Sequence, residues 1–71
     1  MSEIDMTPRT AGLIEAAAEL LRLSARTRPE LMRWDHKAFA ATGLQLLHSD
    51  QISVDEIESA IETAARQEGI N

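Results

Sequence analysis

Three helix-start signals divide this sequence, and they constrain its fold more than any other feature. Threonine and proline at positions 7 and 8 fit a helix start, because threonine caps a helix N-terminus and proline is tolerated at the first helical position. Residues 27–30 and 53–56 each match the capping box, in which a hydroxyl and a carboxylate three residues apart bond free backbone N–H groups. No segment alternates apolar and polar residues as a strand does. The sequence therefore predicts an all-α, three-helix bundle, a single helical domain over residues 1–71 with a frayed tail at residues 1–6.

Helix one is predicted to run from Pro8 to about Arg26 and to be apolar on two sides. A surface helix of a small bundle needs a single apolar stripe of about 100°. A chain of 71 residues without cysteine has little further surface to cover a second side, and so small a core supplies only about 3–5 kcal/mol. We therefore expect helix one to associate with another protein or, in a homodimer, with a second copy of itself. The two sides consist of Leu13, Ala16, Ala17, Leu20 and Leu23, and of Ile14, Ala18, Leu21 and Ala25.

Helix two is predicted to begin at the capping box of Thr27 and Glu30, with Pro29 in its first turn. The connection from helix one is then very short, so the two helices are expected to form an αα-hairpin. Gly43 costs about 1 kcal/mol relative to alanine inside a helix, so we expect a kink or a break there. A short fourth helical piece over residues 44–48 is an open alternative. The face predicted to pack on the core consists of Leu31, Met32, Trp34, Ala38, Phe39, Ala41 and Leu46.

Helix three has the clearest predicted boundaries. Ser53 is its N-cap and Glu56 completes the capping box, with isoleucines on either side of the box placed to form a hydrophobic staple. Gly69 followed by Ile70 is typical of a Schellman ending, in which a left-handed residue closes the helix. The predicted core-facing seam is Val54, Ile57, Ala60, Ile61 and Ala64.

The charges are unevenly distributed along a chain of net charge −5. The middle is basic and both ends are acidic, and the simplest interpretation is that they pair inside the folded bundle. The net negative field disfavours generic binding to phosphate backbones or anionic lipid. The absence of cysteine and of any long apolar segment predicts a cytoplasmic protein. The basic residues of the middle are Arg22, Arg26, Arg28, Arg33 and Lys37.

The residue types give little support to enzyme chemistry. Glu58 and Glu62 lie one turn apart, but two exposed carboxylates without a pocket have no means of raising a pKa for acid catalysis. His36 and His48 lack the i, i+4 spacing of a helical metal pair, and both are expected at or near the surface. Residues 50–57 match only the second half of a calcium-binding loop, and helix capping accounts for them. We therefore predict no enzymatic activity, no metal and no cofactor.

The expected function is to bind another protein. The two aromatic residues, Trp34 and Phe39, have two interpretations that stay open: both fill the core, or Trp34 is an exposed interface anchor beside arginines. The leading hypothesis is a regulator that occludes a groove on its partner: an antiactivator, an antitoxin-like inhibitor or an adaptor, with a transcription factor as a candidate target. The predicted partner-binding residues are Ile14, Leu21, Arg28, Arg33 and Trp34, and Asp55, Glu58 and Glu62 are predicted to steer a basic partner electrostatically.

Two alternatives stay open at this level. A homodimeric DNA-associated regulator would use the basic surface from Arg22 to Lys37, although the acidic third helix is unsuited to lie between phosphates as a recognition helix. A self-associating structural module would need no other ligand. Salt dependence separates DNA binding from an apolar protein interface, since phosphate contacts are lost steeply as salt rises.

Overall fold

The computed structural model describes residues 7–48 and 51–69, which form three α-helices. α1 spans Pro8–Thr27, α2 spans Arg33–His48 and α3 spans Val54–Glu68. α1 packs against both other helices, and α2 and α3 contact each other less extensively than either contacts α1. This arrangement confirms the predicted three-helix bundle, with α1 and α2 as its hairpin.

The start of α1 is as predicted. Thr7 has an extended backbone, and its hydroxyl oxygen accepts a hydrogen bond of 3.1 Å from the N–H of Thr10. Pro8 follows at the first helical position, where the missing N–H leaves no bond unmade. The predicted tail, residues 1–6, lies outside the described residues.

The capping box predicted for α2 does not form, because α1 continues through Thr27. The Thr27 hydroxyl donates to the carbonyl oxygen four residues earlier, at 2.8 Å, as a side chain within a helix does. Pro29 takes the second position of a turn that is closed by a 3.1 Å hydrogen bond from the Leu31 N–H to the Arg28 carbonyl. Proline favours this turn position through its fixed φ. The start of α2 therefore moves to Arg33.

α2 runs unbroken through Gly43, so the predicted break and fourth helical piece are wrong. A Cβ at position 43 would lie 2.8 Å from Cδ1 of Leu20, closer than carbon atoms normally approach. The glycine therefore allows α2 to lie close to α1, and the close packing compensates for its low helix propensity.

α2 also turns a different face to the core from the one predicted. It buries His36, Ala40 and Leu44, which recur every four residues. Ala40 and Gly43 are small, so the backbones of α1 and α2 approach each other on this side. The large residues that were predicted to be inside but are exposed are Met32, Trp34, Phe39 and Leu46.

The core covers most of both apolar sides of α1. Leu21 is fully buried and Ile14 nearly so, because α2 lies on one side of α1 and α3 on the other. The expectation that one whole side is uncovered is therefore wrong, although Leu20 is only partly buried and Leu23 is 38% exposed at the edge. The buried apolar residues are Leu13, Ile14, Ala17, Ala18, Leu21, Ala40, Leu44, Ile57, Ala60, Ile61, Ala64 and Ala65.

α3 begins and ends as predicted. The Ser53 hydroxyl accepts from the Glu56 N–H at 3.2 Å, and the Glu56 carboxylate accepts from the Ser53 N–H at 3.1 Å. Gly69 closes the helix with φ 69°, a left-handed conformation that glycine adopts without steric cost. Ile70 lies outside the described residues. Val54 was wrongly placed in the core-facing seam, since it is exposed at the first turn. The rest of the seam, Ile57, Ala60, Ile61 and Ala64, is buried.

Candidate partner-binding surface

The five predicted partner-binding residues fall into two groups. Ile14 and Leu21 are core residues, so an intact bundle does not present them to a partner, and their placement on an open surface is corrected. Arg28, Arg33 and Trp34 are exposed around the start of α2. Trp34 is 74% exposed, so the interpretation that it fills the core is wrong.

Trp34 lies in a groove between α2 and α3, which we call the Trp34 groove. It has a volume of about 450 Å³ and an apolar floor that includes the buried side chain of Ile61. Two of the three predicted steering residues, Glu58 and Glu62, line it together with the predicted anchor. Asp55 lies one turn before Glu58 and is exposed. The lining residues are Trp34, Lys37, Ala38 and Ala41 of α2, and Glu58, Ile61 and Glu62 of α3.

An ion pair joins the two helices at this groove. Lys37 Nζ donates to the Glu62 carboxylate at 2.6 Å, and the lysine side chain is largely buried. This hydrogen bond, and secondarily the charges of Lys37 and Arg33, lower the pKa of Glu62 below its ordinary value. Lys37 therefore pairs with Glu62, while Glu58 makes no ion pair with any described residue.

Lys37→Met is expected to raise the pKa of Glu62 toward its ordinary value of 4.5, because the main group that favours the ionised carboxylate is removed. Because folding lowers this pKa, the ionised carboxylate stabilises the folded protein at pH values above the ordinary pKa. This stabilisation is lost as the pH falls through the folded-state pKa. NMR titration of the Glu62 side chain measures the change. Glu30 is the internal control, since a hydrogen bond from Arg28 lowers its pKa independently. A Glu62 pKa that stays the same in the variant contradicts the assignment.

The basic middle of the chain pairs with α3 at two of its residues. Arg22 bonds a carboxylate of α3 at 2.6 Å, as Lys37 does, which confirms the expected internal pairing for these two. Arg28 pairs with its close neighbour Glu30 across the turn at 3.0 Å. Among residues 7–48 and 51–69, Arg26 and Arg33 form no ion pair. The basic surface is therefore smaller than the sequence suggests.

A buried polar pair between α1 and α2 was missed at the sequence level. Ser24 is fully buried, and its hydroxyl oxygen lies 2.6 Å from Nδ1 of His36, which is 7% exposed. The expected surface position of His36 is therefore wrong. Serine and histidine in contact can act as nucleophile and base, but a fully buried hydroxyl is out of reach of any substrate. The pair joins the two helices. The signal was present in the sequence, since Ser24 follows Leu21 by three residues on a buried stripe and a polar group there needs a partner.

In the part of the chain that the structure describes, no three histidine, aspartate or glutamate side chains come together as a metal site would require. No helix over residues 7–48 and 51–69 combines the length and apolar character needed to cross a membrane.

No known protein family, no curated protein and no solved structure matches this chain. The Trp34 groove and the charges around it are therefore the features from which its function is inferred.

Proposed function

We propose that this protein is a small cytoplasmic interaction module that binds a partner protein through the Trp34 groove. The exposure of Trp34, 74%, is the observation that supports this best. Burying a large aromatic side chain against a partner removes apolar surface from water, and tryptophan is among the residues that contribute most at interfaces. Because the groove lies between α2 and α3, a bound segment would contact both helices.

The charges around the groove favour a basic, amphipathic helix as the partner segment. Glu58 and Glu62 line the groove and Asp55 adds a third carboxylate nearby, against the cations Lys37 and Arg33. A lysine or arginine of the partner would pair with Glu58 and lie over the indole ring, a cation–π contact that contributes about 0.5–2 kcal/mol. The apolar face of the same helix would pack on the alanine and isoleucine side chains of the floor.

Binding of this kind would act by occlusion. DNA-binding proteins contact phosphates through basic segments, so a module that covers such a segment blocks the contact. An antiactivator, an antitoxin-like inhibitor or an adaptor would work in this way, and a transcription factor is the target that fits the acidic rim.

The second candidate, a homodimeric DNA-associated regulator, is weakened by the ion pairs. Arg22 and Lys37 already bond carboxylates of α3, and Arg28 bonds a carboxylate in the turn. Arg26 and Arg33 would then carry the phosphate contacts on a chain of net charge −5, and affinity for phosphates depends on the number that are neutralised. Duplex binding that falls steeply with salt and is lost on replacing these two arginines would restore this candidate.

Trp34→Ala is expected to weaken binding of a basic amphipathic peptide about tenfold, because the interface loses its aromatic anchor. The probe is a synthetic helix of lysine and leucine about five turns long, and calorimetry gives the affinities. Trp34 is the single tryptophan of the chain, so a shift of its fluorescence to shorter wavelength also reports its burial. An acidic peptide of glutamate and leucine is expected to cause no shift.

Two matched pairs of variants control this experiment. Leu46→Ala removes another exposed apolar side chain of α2, outside the groove, and should leave the affinity unchanged. Glu58→Lys and Glu15→Lys make the same change of charge, inside the groove and on α1 respectively, and the first should weaken binding more. Equal losses within either pair would show that the peptide binds without using the groove. Both variants can then serve as baits in a native extract. A protein that Leu46→Ala captures and Trp34→Ala does not is the natural partner.

A further inference from the structure

A second apolar surface lies between α1 and α2, away from the Trp34 groove. It centres on an open groove of about 470 Å³ that Leu20, Leu23 and Leu47 line. Leu23 is 38% exposed and Leu47 is 68% exposed. Phe39, 43% exposed, precedes Gly43 by one turn of α2, and Leu47 follows Gly43 by one turn. Phe39 therefore lies on the same face of α2 as Leu47, beyond Gly43, which abuts Leu20. We call this surface the α1/α2 strip: Leu20, Leu23, Phe39 and Leu47.

The charged residues along the α1 edge of this strip have a symmetric arrangement. Glu19 and Arg26 both line the groove and stand seven residues apart, so they lie on one line along the helix. Neither makes an ion pair with any residue that the structure describes. Arg22, between them, also lines the groove, but its guanidinium is already bonded to Glu68 at 2.6 Å. Among the described residues, the edge therefore presents one unpaired carboxylate and one unpaired guanidinium to a partner, with Leu23 midway between them.

We propose that the α1/α2 strip binds a second copy of this chain across a two-fold axis close to Leu23. A two-fold interface uses the same surface on both subunits, so the surface must be complementary to itself. With the two α1 helices antiparallel, Glu19 meets Arg26 of the partner subunit, and the symmetric contact repeats this pair. The apolar side chains of the strip are buried between the two pairs. A surface that carried charges of one sign would repel its own copy, whereas this surface carries Glu19 and Arg26, which have opposite charges.

Charge reversal tests the geometry directly. Glu19→Arg alone and Arg26→Glu alone each turn both pairs from attractive to repulsive, and each is expected to weaken self-association about tenfold. An equimolar mixture of the two variants restores both pairs in a heterodimer without any further change within either chain. Sedimentation equilibrium over a range of concentrations should therefore show a dimer of wild-type protein, weaker dimers of each variant, and recovery in the mixture.

Three further variants distinguish this dimer from association through another surface of the bundle. Glu15→Arg makes the same change of charge on α1 outside the strip and should leave self-association unchanged. Leu23→Asp should weaken the dimer at least as much as charge reversal while preserving the helical circular dichroism spectrum, since the side chain is partly exposed. Trp34→Ala should leave the dimer intact, so failure of the dimer and failure of the Trp34 groove are distinguishable. A wild-type monomer at all concentrations, or a mixture no more associated than its separate components, overturns the proposal.

Discussion

Replacing Leu21 with alanine is expected to unfold a large part of the protein at 25 °C. The side chain is fully buried where α1 meets the rest of the bundle. Truncating such a leucine lowers the free energy of unfolding by about 2–5 kcal/mol, through lost burial and the cavity that remains. A single core of this size supplies only about 3–5 kcal/mol in total. Urea titration followed by circular dichroism measures the loss.

Leu46→Ala is the matched control for this experiment, because it removes the same atoms from a side chain that is 78% exposed. It is expected to change the free energy of unfolding by less than about 0.5 kcal/mol. If Leu21→Ala proved as stable as Leu46→Ala, Leu21 would not be a core residue, and the sequence-based assignment of this leucine to a binding surface would regain support.

Ser24→Ala is expected to lower the free energy of unfolding by about 1–3 kcal/mol, the cost of leaving a buried polar group without its partner. The Ser24 hydroxyl oxygen lies 2.6 Å from Nδ1 of His36, so the substitution leaves this buried nitrogen without its hydrogen-bond partner. Alanine fits the same space but offers no hydrogen bond. Thermal and urea unfolding of the variant, followed by circular dichroism, give the loss.

A double-mutant cycle with His36→Leu isolates this contact. Leucine is close to histidine in volume and has no polar atom, so the double variant Ser24→Ala/His36→Leu is expected to be more stable than Ser24→Ala alone. Strict additivity of the two single losses would mean that the side chains do not interact. The control for a purely local effect on α1 is the helical content, which should be the same in all four proteins.

The start of α1 and both ends of α3 were predictable because each depends on a few neighbouring residues. Thr7 with Pro8, Ser53 with Glu56, and Gly69 all act where the sequence places them. The start of α2 was not predictable in the same way, since the residue pattern at 27–30 satisfies both a capping box and a turn that follows a longer α1. In the structure α1 continues through Thr27 and the turn follows, closed by the bond from the Leu31 N–H to the Arg28 carbonyl.

The inner face of α2 depends on tertiary packing and therefore escaped prediction. Hydrophobicity favours Trp34 and Phe39 as core residues, but the close approach of α2 to α1 at Ala40 and Gly43 turns both of them outward. The same close approach lets α2 cover α1 with Ala40 and Leu44, both fully buried, rather than with its aromatic residues. The positions of the largest apolar side chains in the sequence therefore indicated the wrong face of α2.

The residues of the candidate site were partly predictable, but their arrangement was not. The sequence left two roles open for Trp34, core residue or interface anchor, and predicted Glu58 and Glu62 as steering residues. It gave no indication that the three side chains share a groove. Their proximity follows from the side-by-side packing of α2 and α3, which places Lys37 within 2.6 Å of Glu62. Ile14 and Leu21 were assigned to the surface because the helix wheel of α1 alone does not show how many neighbours it has.

The fully buried alanines affect the entropy of folding. Ala17, Ala40 and Ala64 have no exposed surface, and alanine has no side-chain rotamers to lose when it is buried. A leucine in any of these positions would bury more apolar area but would also lose about 0.5–1 kcal/mol of side-chain conformational entropy. At these three positions the helices therefore meet through side chains that give up no rotamer freedom on folding. Close backbone approach there accompanies the larger leucine and isoleucine side chains that fill the rest of the core.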